Sequence, residues 1–226
     1  MSTASNKGGG GRAGFSLTEL LVVVAVIGIM AVAGLPALKG ITGSTGRTGA
    51  INGLMSALDQ ARSAAILSGT NAYVVFPDPV VFGALATTAT FSPSNYVLRS
   101  YAIFRDTNPD LETNTATIQL GKWESLPQGI ALDSTSVSAL PQTTNLSLSL
   151  PGSSASQTLA VRTIGFNASG GLVDAGATNG ITVYEGYWNG TKGVPARTNR
   201  LVDQITLNRF TGRAFLRTVT NTSGSY

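Results

Sequence analysis

Gly14-Phe15-Ser16-Leu17-Thr18-Glu19-Leu20-Leu21 opens the stretch that decides the architecture, and no charged residue follows until Lys39. The uncharged segment, residues 20–38, contains 19 residues. As an α-helix rising about 1.5 Å per residue it would span roughly 28 Å. The hydrocarbon core of a bilayer is about 30 Å thick, so the segment is long enough for one crossing. The sequence has no second stretch of this kind and predicts at most one crossing.

The residues before this segment form a short polar leader, 1–14, which carries Lys7 and Arg12 and no acid. Basic residues favour the cytoplasmic side, so we expect the chain after Lys39 to be exported. Two processing sites compete. Ala31-Val32-Ala33 is typical of a secretory signal-peptide site, whereas a cut after Gly14 would keep the apolar segment. Glu19 stands at the start of the apolar segment, where a signal peptide gains nothing from an acid. It therefore favours the cut after Gly14.

Composition excludes several kinds of chemistry. The chain has no cysteine and no histidine, which excludes disulfide scaffolds, thiolate zinc sites and catalysis by imidazole or thiol. General acid–base work would fall to carboxylates or lysines, and the 11 acids are scattered along the sequence. We predict that the protein is not an enzyme and has no cofactor.

The order of Gly14, Phe15 and Glu19 before an apolar helix resembles the processing site of type IV prepilins and type II secretion pseudopilins. The resemblance implies that a prepilin peptidase cuts after Gly14 and methylates the new amino group of Phe15. It also implies that Glu19 pairs with the terminal amine of a neighbouring subunit and sets the register of assembly. A local role is open as well, because Ser16 and Glu19 have the spacing of a capping box.

A second helical pattern follows a Gly-rich joint at residues 39–49. In residues 51–66 apolar side chains recur at helical spacing, Asp59 and Arg62 lie on the opposite side, and Gly69 suits a C-cap. Beyond Gly69 the pattern changes to short β runs separated by Ser/Thr/Gly-rich connections such as 133–144. The predicted strands are 73–76, 96–104, 117–123, 146–150, 158–166, 180–185, 203–207 and 212–219.

These patterns predict an α+β, pilin-like fold in which one long N-terminal helix packs on an antiparallel sheet or pair of sheets. Four segments are expected. They are a prepilin leader (1–14), a transmembrane and assembly helix (15–38), a helix continuation with the Gly-rich joint (39–69), and a periplasmic β-rich globular domain (70–226).

The C-terminal half carries a second resemblance. Phe166-Asn167-Ala168-Ser169-Gly170 ends one predicted strand, and Thr211-Gly212-Arg213 precedes the last one. This order is similar to that of the GspH/FimT-like minor pseudopilins, although that family usually has Pro where Ala168 stands. The absence of cysteine also favours a pseudopilin or minor pilin, since many major pilins close a C-terminal disulfide loop.

Two weaker candidate sites remain. Arg209, Arg213 and Arg217 belong to a basic C-terminal region, and some DNA-uptake relatives bind DNA through such a region. Their G-R-x-R pattern lacks its second Arg here, and a solvated strand face or pairing with acidic neighbours is the alternative.

A polar turn places oxygen ligands at alternate positions, as in the first half of a calcium loop; its residues are Asp106, Asn108, Asp110 and Glu112. Leu111 stands where that loop needs Gly, so we predict no metal.

We therefore expect a pilin-like structural subunit, with a minor subunit favoured. Its expected partners are prepilin peptidase, other pilin or pseudopilin subunits and inner-membrane lipid, with DNA as a further candidate. It would be a single-pass inner-membrane protein with a periplasmic domain, later filament-associated or at the cell surface. The alternatives are a DNA-binding minor pilin and a secreted or membrane-anchored binding module. The sequence does not distinguish a type IV pilus from a type II secretion or DNA-uptake system.

Overall fold

The computed structural model of the chain describes residues 17–82, 85, 92–107, 117–150, 156–174, 180–189, 193–196 and 200–221. Within these ranges it does not describe the side chains of residues 29–44, 93–94, 143–145, 188, 193, 195, 200–201 and 219–221. The chain divides into two compact units, Met1–Thr42 and Gly43–Tyr226.

The helices are α1 (Leu17–Ser68), α2 (Pro93–Tyr96) and α3 (Ser134–Ser138). The first six strands are β1 (Ala72–Phe76), β2 (Ser100–Asp106), β3 (Thr117–Gln119), β4 (Glu124–Ser125), β5 (Ile130–Leu132) and β6 (Gln142–Ser149). The remaining five are β7 (Ser156–Phe166), β8 (Gly180–Trp188), β9 (Gly193–Pro195), β10 (Arg200–Leu207) and β11 (Ala214–Asn221).

In the first unit, the backbone is helical from Leu17 onward. The Gly-rich joint, residues 39–49, is helical too, and most of it belongs to the second unit. No helix in the described part of the chain is both long and apolar enough to cross a membrane. The predicted transmembrane segment, 15–38, includes residues 15–16 and the side chains of 29–38, which lie outside the described residues.

In the second unit, the rest of α1 supplies one side of the core. Leu54, Leu58 and Ala61 are buried at helical spacing, as the amphipathic pattern predicts. The helix ends after Ser68. Gly69 adopts a left-handed φ of 66°, and its N–H donates to Ala65 O at 3.0 Å. The predicted C-cap is therefore confirmed, because glycine pays no Cβ penalty in this conformation.

The strands form two antiparallel sheets, which is one of the two arrangements that the sequence left open. The first sheet has the order β3-β2-β1-β7-β6, with β4 also beside β2. The second has the order β11-β10-β8-β5, with β9 beside β8. One cluster of buried apolar residues joins α1 to both sheets, with Leu58 from the helix, Val74 and Ile164 from the first sheet, and Ile181 and Ile205 from the second.

The prediction of a single strand over 96–104 is wrong at its N-terminal end. Residues up to Tyr96 form α2, and β2 begins only at Ser100. The turn between them holds Leu98 at a positive φ of 54° with its side chain fully buried. Its N–H donates to Pro77 O at 3.1 Å, and its carbonyl accepts from Leu132 N at 2.9 Å. These long-range hydrogen bonds stabilise a conformation that a strand pattern does not predict.

The predicted connection over 133–144 also contains structure that the sequence pattern did not indicate. Helix α3 begins after Asp133, whose carboxylate accepts from Ser136 N at 2.8 Å and so caps the helix. Strand β6 begins at Gln142. The short strands β5 and β9 were not predicted; each has three residues, too few to show a clear alternation.

Candidate functional site

The N-terminal segment of α1 exposes apolar side chains all around its axis. Eight large apolar residues are between 47% and 85% exposed; they are Leu17, Leu20, Leu21, Val22, Val23, Val24, Val26 and Ile27. Neighbours in a helix differ by about 100°, so this set covers every side of the segment. A segment of this composition gains free energy when lipid or other apolar helices cover it.

Glu19 is the acid in the first turn of α1, and its side chain is exposed. A carboxylate there interacts favourably with the positive end of the helix dipole. Gly14 and Phe15, the predicted processing site, lie outside the described residues.

The two turns of the second resemblance meet in the structure. Asn167 closes the first turn, because its Oδ1 accepts from the N–H groups of Ser169 and Gly171, both at 3.1 Å. Asn208 closes the second in the same way, accepting from Phe210 N at 3.0 Å and Thr211 N at 3.1 Å. The turns are joined by a hydrogen bond from Leu172 N to Arg209 O at 2.9 Å.

Arg62 of α1 fastens both turns to the helix. Its Nε–H is shared between Thr211 O at 2.7 Å and Gly170 O at 3.2 Å. The helical pattern predicted Arg62 on the polar side of the helix and indicated no role for it. Its acceptors are backbone carbonyls 108 and 149 residues away, for which the sequence contains no signal.

A second arginine of α1 was missed for a similar reason. Arg47 Nε lies 2.9 Å from Asp203 Oδ2 on β10, and the Asp203 side chain is only 4% exposed. Thr218 Oγ1 of β11 donates to the other carboxylate oxygen at 2.7 Å. The one acid among the C-terminal basic residues is therefore buried in a pair with the helix.

The three candidate surface arginines lie at the β10–β11 hairpin, and all are exposed. Arg209 stacks over the ring of Phe210, with its guanidinium carbon 4.4 Å from the ring centroid. Arg217 is in β11, and Arg213 directly precedes that strand. In the described part of the chain, the ion pairs are Arg47–Asp203 and Arg162–Asp78, so none of the three arginines pairs with a described carboxylate.

Of the candidate calcium residues, the structure places only Asp106; Asn108, Asp110 and Glu112 lie outside the described residues. Asp106 is buried, and Tyr73 Oη donates to its Oδ2 at 3.2 Å. Burial raises the pKa of Asp106 above its usual range, against hydrogen bonds that lower it. Burial and the neighbouring Asp106 also raise the pKa of Tyr73. Among the described residues, no three acidic, His or Cys side chains converge as metal ligands.

Two family models match the sequence. The model described as type II transport protein GspH matches residues 50–209, and the prokaryotic N-terminal methylation motif matches residues 10–35. No curated protein and no solved structure gives a significant match. The first match covers more than two thirds of the chain; it includes Arg62 and the turn at Gly170, and it ends at residue 209, at the start of the second turn. The chain therefore belongs to the GspH family and is a pilin-like structural subunit of the type II secretion or type IV pilus class.

Proposed function

We propose that the chain is a minor pseudopilin, made as a precursor, cleaved after Gly14 by a prepilin peptidase and methylated on the amino group of Phe15. The mature helix then holds the subunit in the inner membrane, with the β-rich domain in the periplasm, until the subunit enters a filament. Its role is packing and presentation rather than catalysis.

The observation that carries this proposal is the N-terminal segment of α1, whose apolar side chains are exposed on all sides around a single acid, Glu19. Such a segment serves equally as a lipid-facing anchor before assembly and as a helix-packing surface afterwards. A carboxylate costs about 2.5–3.5 kcal/mol at the centre of a spanning helix and less near the interface. Pairing with a neighbour's terminal amine would offset that cost and favour one register.

The mature N-terminus tests the proposal directly. We expect mass spectrometry of the protein purified from cells with a prepilin peptidase to find N-methyl-Phe at residue 15. Gly14→Gln should leave the full precursor, whereas Gly11→Gln, a glycine three residues earlier in the leader, should be cleaved normally. A mature chain that begins at Gly34 would instead identify a secreted protein and contradict the filament role.

One observation favours DNA binding as a second candidate function. Arg209, Arg213 and Arg217 are exposed without a described carboxylate partner, beside the exposed rings of Phe210 and Phe215. Three phosphate contacts would give a slope of about −2.7 for log K against log salt on duplex DNA. Retention of the detergent-solubilised chain on DNA at low salt, with this slope, would support the role. No retention at low salt would contradict it.

A further inference from the structure

The outer edges of the two sheets differ in how they are covered. In the first sheet, side chains from β3 and the segment after it donate hydrogen bonds to β6, the strand at the opposite edge. Thr117 Oγ1 donates to Ser147 O of β6, and Trp123 Nε1 donates to Ser149 O at 2.8 Å. In the second sheet, the β5 edge is occupied by the turn before β2, through Leu132 N and Leu98 O at 2.9 Å.

Strand β11 differs from β6 and β5 in this respect. It pairs with β10 along its whole length, from Ala214↔Leu207 to Asn221↔Arg200. No described backbone group is hydrogen-bonded to its other side. Within the described part of the chain, the strand therefore presents a row of unpaired N–H and C=O groups about eight residues long, which is a template for another strand.

The two faces of β11 carry different side chains. Asp203, Ile205 and Leu207 of β10 are buried, so their partners Thr218, Leu216 and Ala214 face the core side. The opposite face carries Phe215 and Arg217, and the two-residue spacing extends this face to Arg213.

Neither face follows the usual pattern for a strand edge that is kept free. Charged side chains alone would discourage pairing. Here, however, Phe215 is 54% exposed and Leu216 is 47% exposed, one on each face of the same edge. The arginines flank Phe215 at positions 213 and 217, and they have no described carboxylate partner.

From this edge we infer an interaction site: β11 binds an extended acidic segment of a partner protein, which adds to the second sheet as a further strand. Backbone hydrogen bonds to β11 supply affinity, and alternate side chains supply specificity. On one face, carboxylates of the segment meet Arg213 and Arg217 across the strand pair. On the other face, apolar side chains cover Leu216. The recognised pattern is therefore a carboxylate alternating with an apolar residue.

Strand addition explains the exposed Leu216 and the edge of β11 that no described strand occupies, which DNA binding leaves unexplained. The inference is independent of filament assembly, because binding to β11 requires neither cleavage at Gly14 nor Glu19. Failure of one proposal therefore leaves the other standing.

The experiment uses the full-length chain in detergent and a synthetic ten-residue peptide in which Glu and Val alternate. We expect binding by calorimetry, together with slower amide hydrogen exchange in β11 and unchanged exchange in β5. Three comparison probes are a peptide with Lys in place of Glu, a peptide with all Glu residues before all Val residues, and a peptide N-methylated at alternate amides. All three should bind at least about tenfold more weakly. The first carries the opposite charge, the second lacks the alternating pattern, and the third lacks backbone N–H donors.

A matched pair of variants locates the site. Arg217→Gln should weaken binding of the alternating peptide by about tenfold, whereas Lys122→Gln, which removes one exposed charge elsewhere, should not change it. Both variants should keep the thermal unfolding midpoint of the parent, since both side chains are exposed. Binding of the N-methylated peptide as tight as that of the unmodified peptide would overturn the proposal. Slower amide hydrogen exchange outside β11 instead of within it would overturn it as well. Binding of a DNA duplex through the same arginines without any binding of the peptide would also overturn it.

Discussion

Arg62 Nε of α1 lies 2.7 Å from the backbone oxygen of Thr211, in the turn between β10 and β11. The same N–H reaches Gly170 O, in the turn that follows β7. One cation thus joins the long helix to the ends of strands from both sheets. The two turns that resemble the GspH/FimT-like pattern are parts of one hydrogen-bonded group, and Arg62 fastens the part of α1 that belongs to the second unit to this group.

Replacing the guanidinium should loosen this unit. Arg62→Met keeps an apolar stem of similar length but leaves two carbonyls without their donor. A hydrogen bond from a charged group contributes about 1.5–3 kcal/mol, so we expect the free energy of unfolding to fall by about that amount in urea denaturation. Gln60→Met changes an exposed residue of the same helix and should stay within about 0.5 kcal/mol of the parent. Equal effects of the two variants would contradict the role of Arg62.

Gly212 is required by close contact as well as by its backbone conformation. Its φ is 63°, and a Cβ there would lie 2.2 Å from Gly170 O. Gly69, at a φ of 66°, has no atom within 4 Å of its Cβ position. We expect Gly69→Ala to cost about 1–2 kcal/mol for the left-handed conformation alone. Gly212→Ala should cost more, roughly 3–5 kcal/mol, because the two turns must also separate. Similar losses of unfolding free energy in both variants would show that the contact is unimportant.

The sequence predicted the features whose causes are local. The helix over 51–68 follows from apolar residues at helical spacing, and its end follows from Gly69, whose conformation needs no distant partner. Most strands of the second sheet were likewise found from alternation and turns. The family resemblance at Gly14, Phe15 and Glu19 needed only a short motif and the apolar segment after it.

The sequence failed where distant backbone atoms decide the outcome. Leu98 resembles a strand residue, yet hydrogen bonds to Pro77 and Leu132 hold it in a turn. Arg62 was predicted only to lie on the polar side of its helix and Arg47 was given no role, yet their partners lie more than 100 residues away. Alternation in 212–219 indicated a strand, but only the sheet order shows that β11 is an edge.

The ion pair between Arg47 and Asp203 should be strongly coupled. The carboxylate is 4% exposed, so Arg47→Met leaves a buried charge whose hydrogen bond from a described side chain comes from Thr218. Removing one partner of a buried pair costs about 3–5 kcal/mol, and the partial exposure of Arg47 places the expected loss near 3 kcal/mol. The double variant Arg47→Met with Asp203→Leu should recover much of this loss in urea denaturation. Additive losses in the two single variants and the double variant would exclude the coupling.

Asp106 should make stability depend on pH in the acid range. Burial raises its pKa in the folded state above the value of about 4 in the unfolded chain. The folded state therefore binds the proton more tightly, and the stability that protonation provides is lost as pH rises through the folded pKa. Relative to the parent, Asp106→Asn should gain unfolding free energy between pH 3 and pH 7. The exposed Asp59→Asn should show no such gain. A difference for Asp106→Asn that is constant or falls with pH would contradict the prediction.

Glu19 has two proposed roles, capping its own helix and pairing with the amine of a neighbouring subunit. Glu19→Gln, which replaces one carboxylate oxygen by an amide nitrogen, separates them. Glutamine at this position can still accept and donate within a capping box, because that motif uses Glu or Gln alike. It cannot form an ion pair with the terminal amine of a neighbouring subunit. We therefore expect Glu19→Gln to be cleaved after Gly14 like the parent, yet to be absent from sheared filaments in which the parent is detected by immunoblotting. Thr18→Ala, the adjacent substitution, should be both cleaved and incorporated. Normal incorporation of Glu19→Gln would leave capping as the role of this residue and remove the charge pair from the mechanism of assembly.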